Sequence, residues 1–175
     1  MKDSVLIRDL QWGDFRQVVE NFYSYYDELK ENPNLGILVG GKKPKITEEV
    51  DWFSELYKRI LKEDAVASVA EIDGMVVGLC NINRAILKED AKHRGILGIA
   101  IIKGHRGKGV GLKLMASCMK KARGKFEIVT LSTFADNKTA IKLYEKCGFR
   151  RYGAGKNFIK RNGRYTDEYF YAFEF

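Results

Sequence analysis

The chain has 175 residues, of which 45% are hydrophobic, and 31 Lys and Arg stand against 23 Asp and Glu for a net charge of +8. That balance excludes a disordered chain, and no apolar run approaches the ~20 residues that a membrane-spanning helix needs. The length fits a single domain over residues 1–175, because one hydrophobic core can grow until roughly 250 residues.

The opening Met1-Lys2-Asp3-Ser4-Val5 runs into a strand-like segment without the apolar stretch of a signal peptide, so a cytoplasmic protein with no membrane association is expected. Cys80, Cys118 and Cys147 are odd in number, dispersed and set in apolar stretches; they read as small buried thiols rather than disulfides. With His93 and His105 as the two histidines, a zinc cluster lacks ligands and no metal is expected. Acidic residues are interleaved with the basic ones, so most of the charge reads as solvated surface.

Val5 to Leu10 reads as a first strand. From Gly13 and Asp14 a helix follows, with Phe15, Val18, Val19, Phe22, Tyr25, Tyr26 and Leu29 at three- and four-residue spacing. It ends before Asn32-Pro33-Asn34, and the segment through Gly40-Gly41-Lys42-Lys43-Pro44 is a loop. Thr47 is the expected N-cap of a second helix with Glu48 and Glu49 in its first turn, and Val50, Phe53, Leu56, Tyr57 and Ile60 on one face. Ala67 to Ile72 and Met75 to Ile82 flank Asp73-Gly74, a strong hairpin signal.

Gly95 to Ile102 is a short β-branched run and reads as a central strand. A glycine-rich turn follows it, then a helix from about Val110 to Arg123. Phe126 to Phe134 reads as a strand, and Asn137 to Cys147 as a helix closed by Gly148. The tail reads as Arg150 to Tyr152, a Gly-rich link, and a last strand near Tyr169 to Phe175.

The chemistry is signalled at Arg106-Gly107-Lys108-Gly109-Val110-Gly111, between a buried strand and a helix start. Unpaired N–H groups at a helix N-terminus form an anion site, and glycine lets a phosphate approach closely. Lys103, Arg106 and Lys108 add positive charge. A P-loop would need Lys where Val110 stands, and a dinucleotide fingerprint would need Gly where Leu112 stands. A plain structural turn with a basic surface fits the glycines equally well.

Arg106, Gly109 and Gly111 form Arg-x-x-Gly-x-Gly, which resembles the pyrophosphate loop of the GNAT acetyltransferase superfamily. A second segment carries the same resemblance: Asn137, Ala140, Tyr144, Gly148 and Phe149 follow a strand at the family's spacing. Read from the residues alone, Asn137 is an ordinary N-cap and Tyr144 a half-buried aromatic two turns further along the same helix. The tail Lys160 to Glu168 looks like the closing hairpin of members that act on small amines or amino acids.

The resemblance implies a mixed α/β fold: one twisted, mostly antiparallel sheet flanked by about four helices, with a V-shaped split between two central parallel strands. It implies acetyl-CoA as co-substrate and a primary amine as acceptor, whether a small amine, polyamine, amino acid or protein N-terminus. The pantetheine arm would bond the backbone of Ile99, Ala100 and Ile101, and the pyrophosphate would sit on Arg106, Gly107, Lys108, Gly109, Val110, Gly111 and Leu112. Asn137 would contact the pantetheine arm, and Tyr144 would line the site as the general acid that protonates the departing thiolate. Transfer would be direct, a strand N–H serving the thioester oxygen.

The proton acceptor is unassigned at this stage. Several relatives carry a carboxylate where this chain has Leu97 and Gly98, and ribosomal-protein alanine acetyltransferases carry Glu where it has Ser132. Asp90, His93, Asp167, Glu168 and a water chain are the candidates. The alternatives to an enzyme are a non-catalytic acyl-CoA-binding regulator on the same fold and a basic nucleic-acid-binding module. The aromatics fall at core spacing, which disfavours base stacking. A homodimer fits the resemblance, although no residue here specifies one.

Overall fold

The computed structural model describes residues 4–33, 35–37, 39, 42–85 and 89–175. Met1–Asp3 and, within the proline- and glycine-containing loop, Asn34, Gly40 and Gly41 lie outside the described residues. In chain order the elements are β1 (Leu6–Asp9), α1 (Phe15–Glu31), α2 (Ile46–Leu61), β2 (Ala65–Ile72), β3 (Met75–Arg84), β4 (Arg94–Ile101), α3 (Val110–Ala122), β5 (Ile128–Phe134), α4 (Lys138–Lys146), β6 (Arg150–Arg161) and β7 (Arg164–Glu174). Short 3₁₀ turns at Trp12–Asp14 and Glu89–Ala91 complete them.

The seven strands form one sheet in the order β1-β2-β3-β4-β5-β7-β6. Every neighbouring pair is antiparallel except β4 and β5, which run parallel and pair over Arg94↔Ile128, Gly95↔Val129 and Ile96↔Thr130. The mixed α/β sheet with a parallel central pair thus stands as the resemblance implied.

Each face of the sheet carries its own core. α3 and α4 cover one face, where Leu97, Val110, Leu114, Met115, Val129, Leu131, Tyr144 and Tyr171 are buried together. α1 and α2 cover the other face over β2 and β3, burying Val18, Phe53, Leu56, Ala67 and Val69. Phe53 is fully enclosed, with the Phe15 ring edge-on at 5.3 Å and the Tyr57 ring stacked at 6.3 Å.

The β2–β3 hairpin turns on Asp73 and Gly74, both at positive φ (51° and 78°), as its Asp-Gly signal requires. Asn162 and Gly163 (φ 49° and 79°) close the β6–β7 hairpin in the same way. α4 starts as read, with Asn137 Oδ1 accepting the Ala140 N–H at 3.1 Å, and it ends at Gly148 with φ 88°.

Four readings are corrected. α2 begins at Ile46 rather than after a Thr47 cap: Lys45 is its N-cap, and the Glu48 carboxylate accepts the Lys45 N–H at 2.7 Å, so a first-turn side chain satisfies the end. Val50, expected on the buried face of α2, is 43% exposed, because the packed face follows Phe53, Leu56, Tyr57 and Ile60. Cys147 is half-buried while Cys80 and Cys118 are fully buried. The Gly-rich link is not a link: Arg150 to Arg161 is one strand with irregularities at Arg151/Gly153 and Gly155/Ile159. Its glycine has a packing reason, since a Cβ on Gly155 would lie 2.3 Å from the Phe158 ring.

A partly buried ion-pair cluster ties the start of the chain to the sheet. Arg8 donates to both oxygens of Asp14 at 2.8 Å and to Glu71 at 2.7 Å, and Asp14 also accepts the Gln11 N–H at 2.8 Å. Burial alone would raise the Asp14 pKa, but the bonds from Arg8 and Gln11 outweigh it and hold the carboxyl below its usual range. A depressed carboxyl stabilises the fold fully above its unfolded pKa and loses that contribution as pH falls. Asp14→Asn is therefore expected to lower stability at neutral pH and to flatten the decline below about pH 4. Urea denaturation followed as a function of pH measures both.

Candidate active site

The site begins where β4 and β5 stop pairing. Beyond Ile96 and Thr130 the two strands separate, and β5 continues against β7 from Leu131 to Phe134 while β4 continues against β3. The bonds at the two ends of β4 fix its phase: Ala85 N–H to Arg94 O at 2.8 Å, and Ile102 N–H to Val77 O at 3.0 Å. In an antiparallel pair with constant register, alternate residues bond the partner. Gly98 and Ala100 therefore commit their peptide groups to β3, and Leu97, Ile99 and Ile101 turn theirs toward the gap. Of the three pantetheine-contact residues implied by the resemblance, Ile99 and Ile101 offer backbone groups to the cleft and Ala100 does not.

The Ile101 carbonyl already has a partner, the Nε of Arg106 at 2.6 Å. The same guanidinium forms a two-pronged bond to Glu28 on α1, at 2.6 and 2.8 Å. Tyr25 lies beside it, with the guanidinium carbon 5.7 Å from the ring centroid. Arg106 thus clamps the end of β4 to α1, and its charge is opposed by a carboxylate 78 residues away in sequence. Lys103 is likewise paired, to Glu31 at 2.8 Å. Lys108 is exposed and makes no ion pair among the described residues.

The turn itself has the geometry of an anion cradle. Gly104, Gly107 and Gly109 all sit at positive φ (88°, 73° and 82°), which a side chain would strain. Gly109 is the N-cap of α3, and the first ladder bond runs from Lys113 N–H to Gly109 O at 3.3 Å. The N–H groups of Val110, Gly111 and Leu112 precede that bond and have no partner within the helix. They point from a helix N-terminus and suit a phosphate oxygen. Gly111 is small for another reason, because a Cβ there would come within 2.9 Å of Leu143 on α4.

Tyr144, on α4, is buried in the core against which Ile99 and Ile101 pack. It is 7% exposed, with the Tyr171 ring 6.2 Å and the Phe149 ring 6.4 Å away. Its hydroxyl has no hydrogen-bond partner, yet no fully buried side-chain oxygen among the described residues lacks one, so the hydroxyl reaches open space. Burial, reinforced by the Cys80 thiol, raises its pKa above the usual value, and it stays protonated through neutral pH. Asn137 is engaged on both sides of its amide, for its Nδ2 donates to Gly36 O at 2.9 Å while its Oδ1 caps α4.

Two contributors to the site carry no local sequence signal. The segment 35–37 crosses Asn137 and is gripped by Arg161, which donates to Leu35 O at 2.6 Å and Ile37 O at 2.5 Å while lying over the Phe134 ring. Gly36 has to be small there, since a Cβ would fall 2.7 Å from that of Asn137. Glu28, the partner of Arg106, is equally invisible to motif reading. Among the described residues no group of three or more His, Cys, Asp or Glu is placed to hold a metal ion, and no helix is long and apolar enough to cross a membrane.

Residues 7–149 match the family model described as Acetyltransferase (GNAT) family. The chain belongs to that family. It is 35% identical over 106 residues to the L-amino acid N-acetyltransferase AaaT of Escherichia coli K12, covering 59% of this chain and 65% of that protein. It is 42% identical over 79 residues to N-alpha-acetyltransferase 30 of Schizosaccharomyces pombe, covering 41% and 51%. The chain thus spans about half to two thirds of the length of these curated relatives. Among solved structures, yncA of Salmonella typhimurium with its cofactor acetyl-CoA superposes with a TM-score of 0.82 over 97% of this chain and 93% of that one, at 18% identity. That likeness concerns the fold.

The GNAT turn gives a direct test. A Cβ on Gly109 meets no atom within 4 Å, so Gly109→Ala acts through backbone strain alone. It is expected to cost about 1–2 kcal/mol of stability, the usual penalty for a left-handed residue with a Cβ, and to weaken coenzyme A binding. Calorimetric titration with coenzyme A beside urea denaturation separates the two effects.

Proposed function

We propose that this GNAT chain transfers the acetyl group of acetyl-CoA directly to a primary amine, that of a free amino acid or of a protein N-terminus. The observation that carries the reading is the cleft itself: the peptide groups of Ile99 and the Ile101 N–H have no strand partner on the side of the gap, and Tyr144, whose hydroxyl has no partner, is buried in the core against which both residues pack. The named relatives supply the acceptor classes, one acting on L-amino acids and one named for N-alpha acetylation.

Acetyl-CoA fits the two ends of this cleft. Its pyrophosphate suits the free N–H groups of Val110, Gly111 and Leu112 with Gly107, Lys108 and Gly109 around them, and its pantetheine amides suit Ile99 and Ile101. Arg106 serves by holding β4 and α1 in place rather than by presenting a free charge. Asn137 keeps one Nδ2 hydrogen for the arm, because its other polar positions are engaged. In this reading the Ile99 N–H is the strand N–H that receives the thioester oxygen as negative charge develops there.

Tyr144 enters as general acid. A phenol held protonated by burial gives a proton to the leaving thiolate and is a poor base at neutral pH. Thiol release from acetyl-CoA, measured against pooled amino acids and N-terminal peptides, is expected to fall ~10²-fold or more in Tyr144→Phe. Coenzyme A binding should persist in that variant. Binding with no release in the unaltered chain would favour a non-catalytic acyl-CoA-binding role instead.

A further inference from the structure

The proton acceptor left open by the sequence has four candidate side chains, and the structure separates them. Asp90 is exposed in the 3₁₀ turn before β4. His93 borders the paired ends of the strands, where its carbonyl accepts the Glu127 N–H at 2.8 Å. Both stand at the closed end of the V. Asp167 is committed to the hairpin, its carboxylate accepting the Asn157 N–H at 2.9 Å and its carbonyl the Ala135 N–H at 2.9 Å.

Glu168 differs from all three. It lies in β7 directly across from Phe134, the last residue of β5 and one edge of the cleft. The phase of this pair follows from Ala135 N–H to Asp167 O and Phe175 N–H to Glu127 O. Phe134/Glu168 and Ser132/Phe170 are accordingly non-hydrogen-bonded pairs, in which opposite Cα atoms approach to about 4.5 Å.

Faces follow from the same register. Leu131 and Tyr171 point into the core beneath α3 and α4, so Ser132, Phe134, Glu168 and Phe170 point to the opposite face. On β4, Leu97, Ile99 and Ile101 belong to that same core, so Ile96, Gly98 and Ala100 share the face of Glu168. This face is open beside the vertex: Ile96 is 49% exposed, Gly98 is exposed, and a Cβ on Gly98 would still clear Asn81 Oδ1 by 3.5 Å.

Glu168 is half-buried, and its side chain makes no hydrogen bond or ion pair among the described residues. Two cations share its face near the hairpin tip: Arg161 is bound to Leu35 O and Ile37 O over the Phe134 ring, and Arg164 lies 3.7 Å from the Asp136 carboxylate. Ser132, one step along β5, is diagonal to Glu168, a separation of about 7–8 Å that long side chains bridge.

We propose that Glu168 is the carboxylate that receives the acceptor's ammonium group and takes its proton; this rests on the acetyl-transfer reading above. The cofactor enters against the edge of β4 and the amine arrives over the open face, between Gly98 and Ser132. Glu168 accepts one proton from the ammonium, directly or through one water, and leaves a neutral amine. The nitrogen lone pair forms the C–N bond to the thioester carbon, the C–S bond breaks with its electron pair on sulfur, and Tyr144 protonates that sulfur. The proton lost by the new amide nitrogen restores Tyr144, and Glu168 returns its own to solvent, so one proton is released per turnover.

The test compares Glu168→Gln and Glu168→Asp with the unaltered chain in thiol release, using L-amino acids, N-terminal peptides and hydroxylamine, an amine largely neutral at the assay pH. Glu168→Gln is expected to lose ~10²-fold or more in kcat/KM for the ammonium acceptors, with KM for acetyl-CoA unchanged. Its loss with hydroxylamine should be much smaller, and Glu168→Asp should recover part of the activity. Equal activity of Glu168→Gln and the unaltered chain overturns the assignment of Glu168 alone. So does an equal loss with hydroxylamine, or a parallel loss of acetyl-CoA affinity, either of which would mark a structural role. No release by the unaltered chain with any acceptor overturns the transfer reading, and this assignment falls with it.

Discussion

Everything in the candidate site depends on two neighbouring strands that pair for three residues and then part. A peptide group left without a partner in a buried place costs roughly 1–3 kcal/mol, so such an opening persists only where water or a ligand reaches it. Its margins are secured from outside. β5 is held by β7 along its whole length, and the end of β4 is held by Arg106, which joins the Ile101 carbonyl to Glu28 on α1. A cleft built this way presents strand edges to an extended, amide-bearing ligand much as a missing strand would.

The far end of the cleft is tied together by polar contacts across long sequence distances. Segment 35–37 lies between two side chains of different elements, Asn137 at the start of α4 and Arg161 near the tip of the β6–β7 hairpin. In the proposed reading the first borders the cofactor cleft and the second the face over which the amine arrives. A displacement of the segment would be felt on both, which makes Gly36 and its neighbours part of the site although they hold no chemistry of their own.

Charge has a more modest role than the composition suggests. The net charge of +8 does not gather as unpaired cations on the glycine-rich turn: Arg106 and Lys103 are both paired with glutamates of α1. What remains for a phosphate is mainly the backbone N–H groups at the start of α3, with Lys108 beside them. Recognition by peptide dipoles is stereochemically fixed in a way that long mobile side chains are not.

The sequence by itself determined what is local. Asp73-Gly74 made a hairpin because positive φ is cheap there, Asn137 and Gly148 bounded α4 by capping its ends, and Arg106 to Gly111 placed flexible backbone at a helix start. It misjudged Arg150 to Arg161, where glycines that look like a link sit in bulged strand because Phe158 folds over one of them. Only the tertiary structure decided which side chains are occupied and which are free. Glu28 meets Arg106, Gly36 meets Asn137, and the Asp167 side chain is consumed by its hairpin while that of the adjacent Glu168, on the opposite face of β7, has no partner among the described residues. The physical reason is that a strand alternates its side chains between two faces, and which face is open depends on sheet order and helix placement that no short stretch of sequence encodes.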